Sequence, residues 1–269
     1  MRKIAHLSDL HFGTERKEIV EGLVKDLQLV EPDVIVISGD LTQRARTRQF
    51  KNAQVFLQRL EPPVVIVPGN HDIPLFDLFR RFLMPLTRYQ KYITEDLSPV
   101  YLDDEILVYG VNSARSLTWK EGRISVEQMQ EMHKALCEVP DSVFKIVVTH
   151  HPFIPPPEDE GIRLVGRSKK VLKIVAECGI DLLLAGHLHH GYSGDIRPYY
   201  PETKNSIIVA QAGTAISRRT RKKPNVYNLL TVDPLHMTIT IKEWNGHQFF
   251  KRGTTFYHKE REEWRIGQE

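Results

Sequence analysis

Short β-branched and aliphatic runs alternate along the chain with stretches whose apolar positions recur at helical spacing. RKIAHLS (2–8) reads as a strand, and the segment from Glu18 to Val30 as a helix carrying Ile19, Val20, Leu23, Leu27 and Val30 on one face. DVIVISGD (33–40) is unbroken in apolar residues from Val34 to Ile37, as expected of a strand with both faces covered. Ala53, Phe56, Leu57 and Leu60 mark the next helix, and VVIVPGNHDIP (64–74) opens with another strand. Strands are predicted again at 106–111, 143–149 and 180–185, with helices near 125–137 and 168–178. From there the pattern changes, and 206–211, 225–233 and 236–244 read as consecutive strands with little helix between them. The closing HKEREEWRIGQE is highly charged and reads as a fraying tail.

This order predicts an α/β protein, an α/β first half joined to a β-rich second half in two packed sheets with helices outside. No internal repeat and no Gly/Ser- or Pro-rich linker divides it, so one domain is expected over 1–258, followed by a charged tail over 259–269.

Composition narrows the class without choosing a function. Hydrophobic residues at 41% and charged residues at 26% are ordinary for a globular chain long enough to bury a substantial core. A net charge of +3 does not call for nucleic acid. Cys137 and Cys178 fall inside predicted helices, so no disulfide framework is expected and a reducing compartment fits. His6 and Asp9 interrupt the N-terminal apolar run, which excludes a signal-peptide core, and no run of apolar residues is long enough to span a membrane. The expected location is the cytoplasm.

The chemistry lies at the strand ends. IAHLSDLH delivers Asp9 and His11, VIVISGD delivers Asp40, and VVIVPGNHD delivers Asn70 and His71. KIVVTHHP delivers His150 and His151, and DLLLAGHLHH delivers His187, His189 and His190. In open α/β sheets, ligands gather at the carboxyl ends of the strands. Asp9 and His11, like His187 and His189, are two apart, so on extended chain their side chains point the same way. Glycines at 39, 69 and 186 relax the backbone before each ligand. One such element alone is more often a turn than a ligand. Five in this order are not explained by packing, because buried charge is costly without an ion or partner. Imidazole and carboxylate donors without thiolate suit Mn, Fe or Zn.

The series Asp9-x-His11, Gly39-Asp40, Gly69-Asn70-His71-Asp72, His150 and Gly186-His187-x-His189 resembles the calcineurin-like metallophosphoesterase superfamily, over roughly residues 4–190. Within it, HLSDLHFG and GDLTQRA most resemble bacterial class III cyclic-nucleotide phosphodiesterases. The resemblance implies the metallophosphoesterase fold, two packed mixed β-sheets flanked by helices in an αββα sandwich, and two divalent metal ions, Mn²⁺ or Fe²⁺/Fe³⁺ with Zn²⁺ as an alternative. Carried over, it places the first ion on Asp9, His11, Asp40 and His189, and the second on Asp40, Asn70, His150 and His187, with Asp40 bridging. His151 would support these ligands from behind. It also implies hydrolysis of phosphodiester bonds by in-line attack of a metal-bound hydroxide. His71 would then be the general acid at the leaving group, its ring oriented by Asp72.

The substrate is less defined. Arg44, close after Asp40, and the run SRRTRKK, which contains Arg218, Arg219, Arg221, Lys222 and Lys223, are candidate phosphate contacts together with His71. PLFDLFRRFLMPLTRYQKYI (74–93) reads as a core-facing amphipathic helix or, alternatively, an apolar lid or interfacial helix beside the site. The expected substrate is a cyclic nucleotide or similar small diester. The alternatives are a lipid-linked pyrophosphate, as in the related UDP-2,3-diacylglucosamine hydrolases, and a non-catalytic scaffold of the vacuolar-sorting kind. A lipid-linked substrate would bring peripheral membrane contact. A nuclease is disfavoured, because the chain lacks the long basic face that duplex binding needs.

Overall fold

The computed structural model describes residues 1–156, 161–203, 205–220, 223–261 and 263–267. The chain runs β1 (Arg2–Leu7), α1 (Lys17–Val30), β2 (Val34–Ser38), α2 (Thr47–Leu57) and β3 (Val64–Val67). A 3₁₀ turn over Asn70–Asp72 leads to the short helices α3 (Leu78–Leu83) and α4 (Thr87–Tyr92). Then come β4 (Val100–Leu102), β5 (Ile106–Gly110), α5 (Val126–Cys137), β6 (Phe144–Val148), α6 (Ser168–Glu177) and β7 (Leu182–Ala185). The last third is β8 (Tyr192–Asp195), β9 (Ile208–Gln211), β10 (Val226–Val232), β11 (His236–Trp244), β12 (Phe249–Glu260) and β13 (Glu263–Gly267).

These strands form two mixed sheets, one ordered β13-β12-β11-β10-β1-β2-β3 and the other β4-β5-β6-β7-β9-β8. Alternation along each central strand divides its side chains between two cores. In β2, Val34 and Val36 meet Val108, Ile146 and Leu184 between the sheets, while Ile35 and Ile37 face outward against α1 and α2. In the second sheet Val147 and Leu183 turn outward to α5 and α6. The expected αββα sandwich is the observed one, and the unbroken apolar runs follow from strands covered on both faces.

Two expectations are corrected. Over its described residues the charged end is paired: His258–Glu260 finish β12, and Glu263–Gly267 pair with it as the edge strand of the larger sheet. Trp264 explains this, because it is buried against Phe144 in the core between the sheets, while the charged residues beside it alternate outward. The cysteines are also not separate. Cys137 ends α5 and Cys178 follows α6, their Cα atoms are 4.4 Å apart, and the two are joined in a disulfide. Helical placement does not keep two thiols apart when the helices lie side by side on one sheet and end at the same level. The compositional argument for a reducing compartment therefore falls. No described helix is long and apolar enough to cross a membrane.

Candidate metal centre

Strands β1, β2 and β3 are parallel neighbours in one sheet, as β6 and β7 are in the other, so their carboxyl ends share one edge of the sandwich. The loops leaving them bring together the seven residues expected as ligands. Asp9, His11, Asp40, His150 and His189 are buried. Five of the seven hold left-handed backbone: Asp9 (φ 52), His11 (φ 46), Asp40 (φ 54), His187 (φ 75) and His189 (φ 59). Such conformations cost a non-glycine residue about 1 kcal/mol or more each, and they persist where the surroundings over-determine them. Gly39 before Asp40 is itself left-handed at φ 89. Gly69 is required for room, since a Cβ there would lie against the Asp40 carboxylate.

The donor atoms fall into two groups that share Asp40. In the first, His11 Nε2 lies 3.5 Å from Asp9 Oδ1 and 3.6 Å from Asp40 Oδ2, and His189 Nε2 lies 3.7 Å from Asp9 Oδ1. In the second, His150 Nε2 is 3.4 Å from Asp40 Oδ1 and 3.2 Å from Asn70 Oδ1, and His187 Nδ1 is 3.1 Å from Asn70 Oδ1. Atoms each about 2.0–2.2 Å from one ion stand roughly 3–3.6 Å from one another. Asp9 Oδ1 and His11 Nε2 are also buried with no hydrogen-bond partner among the described residues, an expensive arrangement that a cation relieves. The residues present fit a divalent ion in each group.

The opposite ring nitrogens are anchored. His150 Nδ1 donates to Ser38 O at 2.7 Å, His11 Nδ1 faces Thr42 O at 3.4 Å, and His189 Nδ1 meets the Thr214 hydroxyl. Each contact turns Nε2 toward the centre, while His187 presents Nδ1. Asp9 Oδ2 accepts from Ser8 Oγ at 2.7 Å and His187 N at 2.9 Å, which leaves Oδ1 for the interior. Ser8, Thr42 and Thr214 were not singled out by sequence; a hydroxyl or carbonyl within two positions of a ligand, or after a strand on the same edge, is too common a signal.

Protonation follows the same design. Burial pushes the Asp40 carboxyl up, but His150, His71 and His11 overcome it and hold it at about 2. Burial lowers His187 to about 3 and His189 to about 4. Ionised carboxylates beside neutral imidazoles are the state metal ligation requires. His150 departs from this pattern: burial works against its proton, yet the Asp40 and Asp9 charges raise it overall. His151 bonds Ser113 through Nδ1 at 2.8 Å and packs edge-on against His150.

Beside the donors opens a cavity of ≈ 230 Å³, lined by Gln43, Arg44, Asn70, His71, Ile73, Leu75, Trp119, Lys120 and Arg219. His71 Nδ1 is 2.9 Å from Gln43 O, and its Nε2 is 2.9 Å from Arg219 Nη1. The pairing of Asp72 with His71 is corrected here. The Asp72 carboxylate accepts from the backbone amides of Leu41, Thr42 and Gly69 at 3.1, 2.8 and 2.9 Å, so it braces the loops after β2 and β3, and Gln43 orients the histidine. Burial and the Asp40 charge push Asp72 up to about 6 against the pull of those amides. Arg44 and Arg219 reach the cavity. Arg218 does not line it, and borders instead a separate hollow with Arg46 and Arg48. Arg221 and Lys222 lie outside the described residues.

A family model for calcineurin-like phosphoesterases matches residues 2–191. The chain belongs to that family. Its members use divalent metals, and the clustered Asp and His side chains at this edge are candidates to hold them. Among curated relatives, the chain is 24% identical over 144 residues to the glycerophosphodiester phosphodiesterase GpdQ of Enterobacter lignolyticus, covering 45% of this chain and 51% of that one. It is 23% identical over 205 residues to the 3',5'-cyclic adenosine monophosphate phosphodiesterase CpdA of Escherichia coli, covering 70% and 69%. The chain thus spans about half the length of the first of these. The fold is similar to that of a dimetal phosphatase from Danio rerio, with a TM-score of 0.68 at 13% identity, covering 93% of this family member and 98% of that chain. The purple acid phosphatase PPD1 of yellow lupin gives the same TM-score and identity, over 93% and 52%.

Proposed function

We propose that this family member is a binuclear-metal-dependent phosphodiesterase acting on small diesters, cyclic nucleotides among them. The observation that carries the reading is the pair of four-residue donor groups joined at Asp40, with Asp9 Oδ1 and His11 Nε2 orphaned in the first of them. One ion is assigned to Asp9, His11, Asp40 and His189, the other to Asp40, Asn70, His150 and His187. Bound there, the ions would lower the pKa of a water and offset charge on the phosphoryl oxygens.

The remaining work falls to the chain. Arg219 and Arg44 offer guanidinium donors to phosphate oxygens at the cavity wall. His71 is assigned to the leaving group. Gln43 O requires its neutral proton on Nδ1, so Nε2 carries a proton to give only in the imidazolium form. Burial lowers the affinity of His71 for that proton, making it a readier donor when charged. Both relatives named above act on diesters by name, one on a cyclic nucleotide and one on glycerophosphodiesters, which supports a diester and leaves its alcohol open.

Protein supplied with Mn²⁺ is expected to hydrolyse bis(p-nitrophenyl) phosphate and to bind two ions per chain by elemental analysis. Full activity in the Asp40→Ala/Asn70→Ala double variant would overturn the assignment.

A further inference from the structure

Helix α3 is built inside out. Arg81 is 2% exposed and donates to Pro74 O at 3.0 Å and to Thr118 O, while Phe76 and Phe79 are 76% and 68% exposed, with Phe82 and Leu83 beside them. A second loop meets α3 through Arg81. Leu117 is 83% exposed, and Trp119 is held by the Arg81 guanidinium, 5.0 Å over its ring, and by Asn70 Nδ2, 3.3 Å from its carbonyl. Clustered exposed aromatic and aliphatic side chains of this size mark an interaction surface. Here they are held in place by a buried arginine and are not loose chain.

Two further observations identify the partner. The apolar groups are set among cations: besides the buried Arg81, residues 75–93 carry Arg80, Arg88 and Lys91 against Asp77 alone, with Arg80 paired to it, and Lys120 stands exposed in the second loop. Large apolar side chains ringed by Arg and Lys complement acyl chains beneath anionic headgroups. The surface also borders the metal centre, since Leu75, Trp119 and Lys120 line the cavity that holds His71 and Arg219.

We propose that α3 and the 117–120 loop form a docking surface for an anionic lipid bilayer, which lays the mouth of the cavity against the headgroup layer. Docking does not depend on the phosphodiesterase reading and is measured without turnover. Intact protein is expected to sediment with vesicles of phosphatidylcholine and phosphatidylglycerol in equal parts, and far less with phosphatidylcholine alone. Phe79→Asp/Phe82→Asp should weaken that binding about tenfold or more while leaving bis(p-nitrophenyl) phosphate hydrolysis unchanged. Leu235→Asp, an exposed leucine between β10 and β11, should bind as the parent does. Three results would overturn the proposal: no sedimentation of the parent, binding indifferent to the double variant, or light scattering showing a dimer that the double variant splits.

Discussion

The donor loops leaving β1, β2, β6 and β7 and the helix α3 each reverse the usual placement of side chains, in opposite senses. In the loops, Asp9, His11, Asp40 and His189 are buried on strained backbone, and Asp9, His11, His150 and His189 are held from behind by a hydroxyl, a carbonyl or an amide. In α3, Arg81 is inside while Phe79 and Phe82 face water. Neither arrangement is favourable by itself. The buried donors suit cations, and the exposed face of α3 suits an apolar partner. If the two proposals hold, the reversals are separable, the first serving chemistry and the second docking.

Substitutions can test that separation. The largest effect is expected on the buried side: Asp40→Ala should lower Mn²⁺-dependent phosphodiester hydrolysis by about a thousandfold and remove bound metal, because it takes one donor from each group. His71→Gln should come next, costing about a hundredfold on a diester with an alkoxide leaving group and only a few-fold on the p-nitrophenyl diester, whose leaving group needs no proton. Equal losses on both substrates would remove the acid role. On the exposed side, Arg81→Ala should destabilise by about 2 kcal/mol in urea unfolding, since it strips donors from two carbonyls. Phe79→Ser on the same helix should change stability by less than about 0.5 kcal/mol.

Buried histidine also gives the fold a pH dependence. Burial lowers His6 from 6.5 to about 3, so below 6.5 the unfolded chain takes up a proton that the folded chain refuses. Stability contributed by neutral His6 is complete above 6.5 and is lost as pH falls toward 3, by about 1.4 kcal/mol per pH unit. Melting temperatures of metal-free protein should decline over that window, and less steeply in His6→Gln.

Sequence and structure agree best where one signal repeats. Asp9, Asp40, Asn70, His150 and His187 each follow an apolar strand, and parallel pairing gathers the first three at one edge of the larger sheet and the last two at one edge of the smaller. Agreement fails where an answer depends on which face a neighbour presents. Helical spacing places Phe79, Phe82 and Leu83 on one stripe, but only the Arg81 bonds to Pro74 and Thr118 decide that the stripe looks outward. Leu86 and Tyr89, in the same run, do turn to the core. Cys137 and Cys178 meet only because β6 and β7 are neighbours beneath α5 and α6. Asp72 stands beside His71 in sequence, yet a turn of 3₁₀ helix directs it to the backbone of Leu41 and Thr42.

The donor groups draw Asp9, Asp40 and Asn70 from one sheet and His150, His187 and His189 from the other. The centre therefore straddles the seam of the sandwich, and the spacing between Asp40 and His150 is set by how the two layers sit on each other. Residues with no reactive atom, such as Val36, Val108 and Ile146, act as shims in that seam. Thinning one of them would let the layers settle by a fraction of an ångström, enough to shift donor groups it never touches.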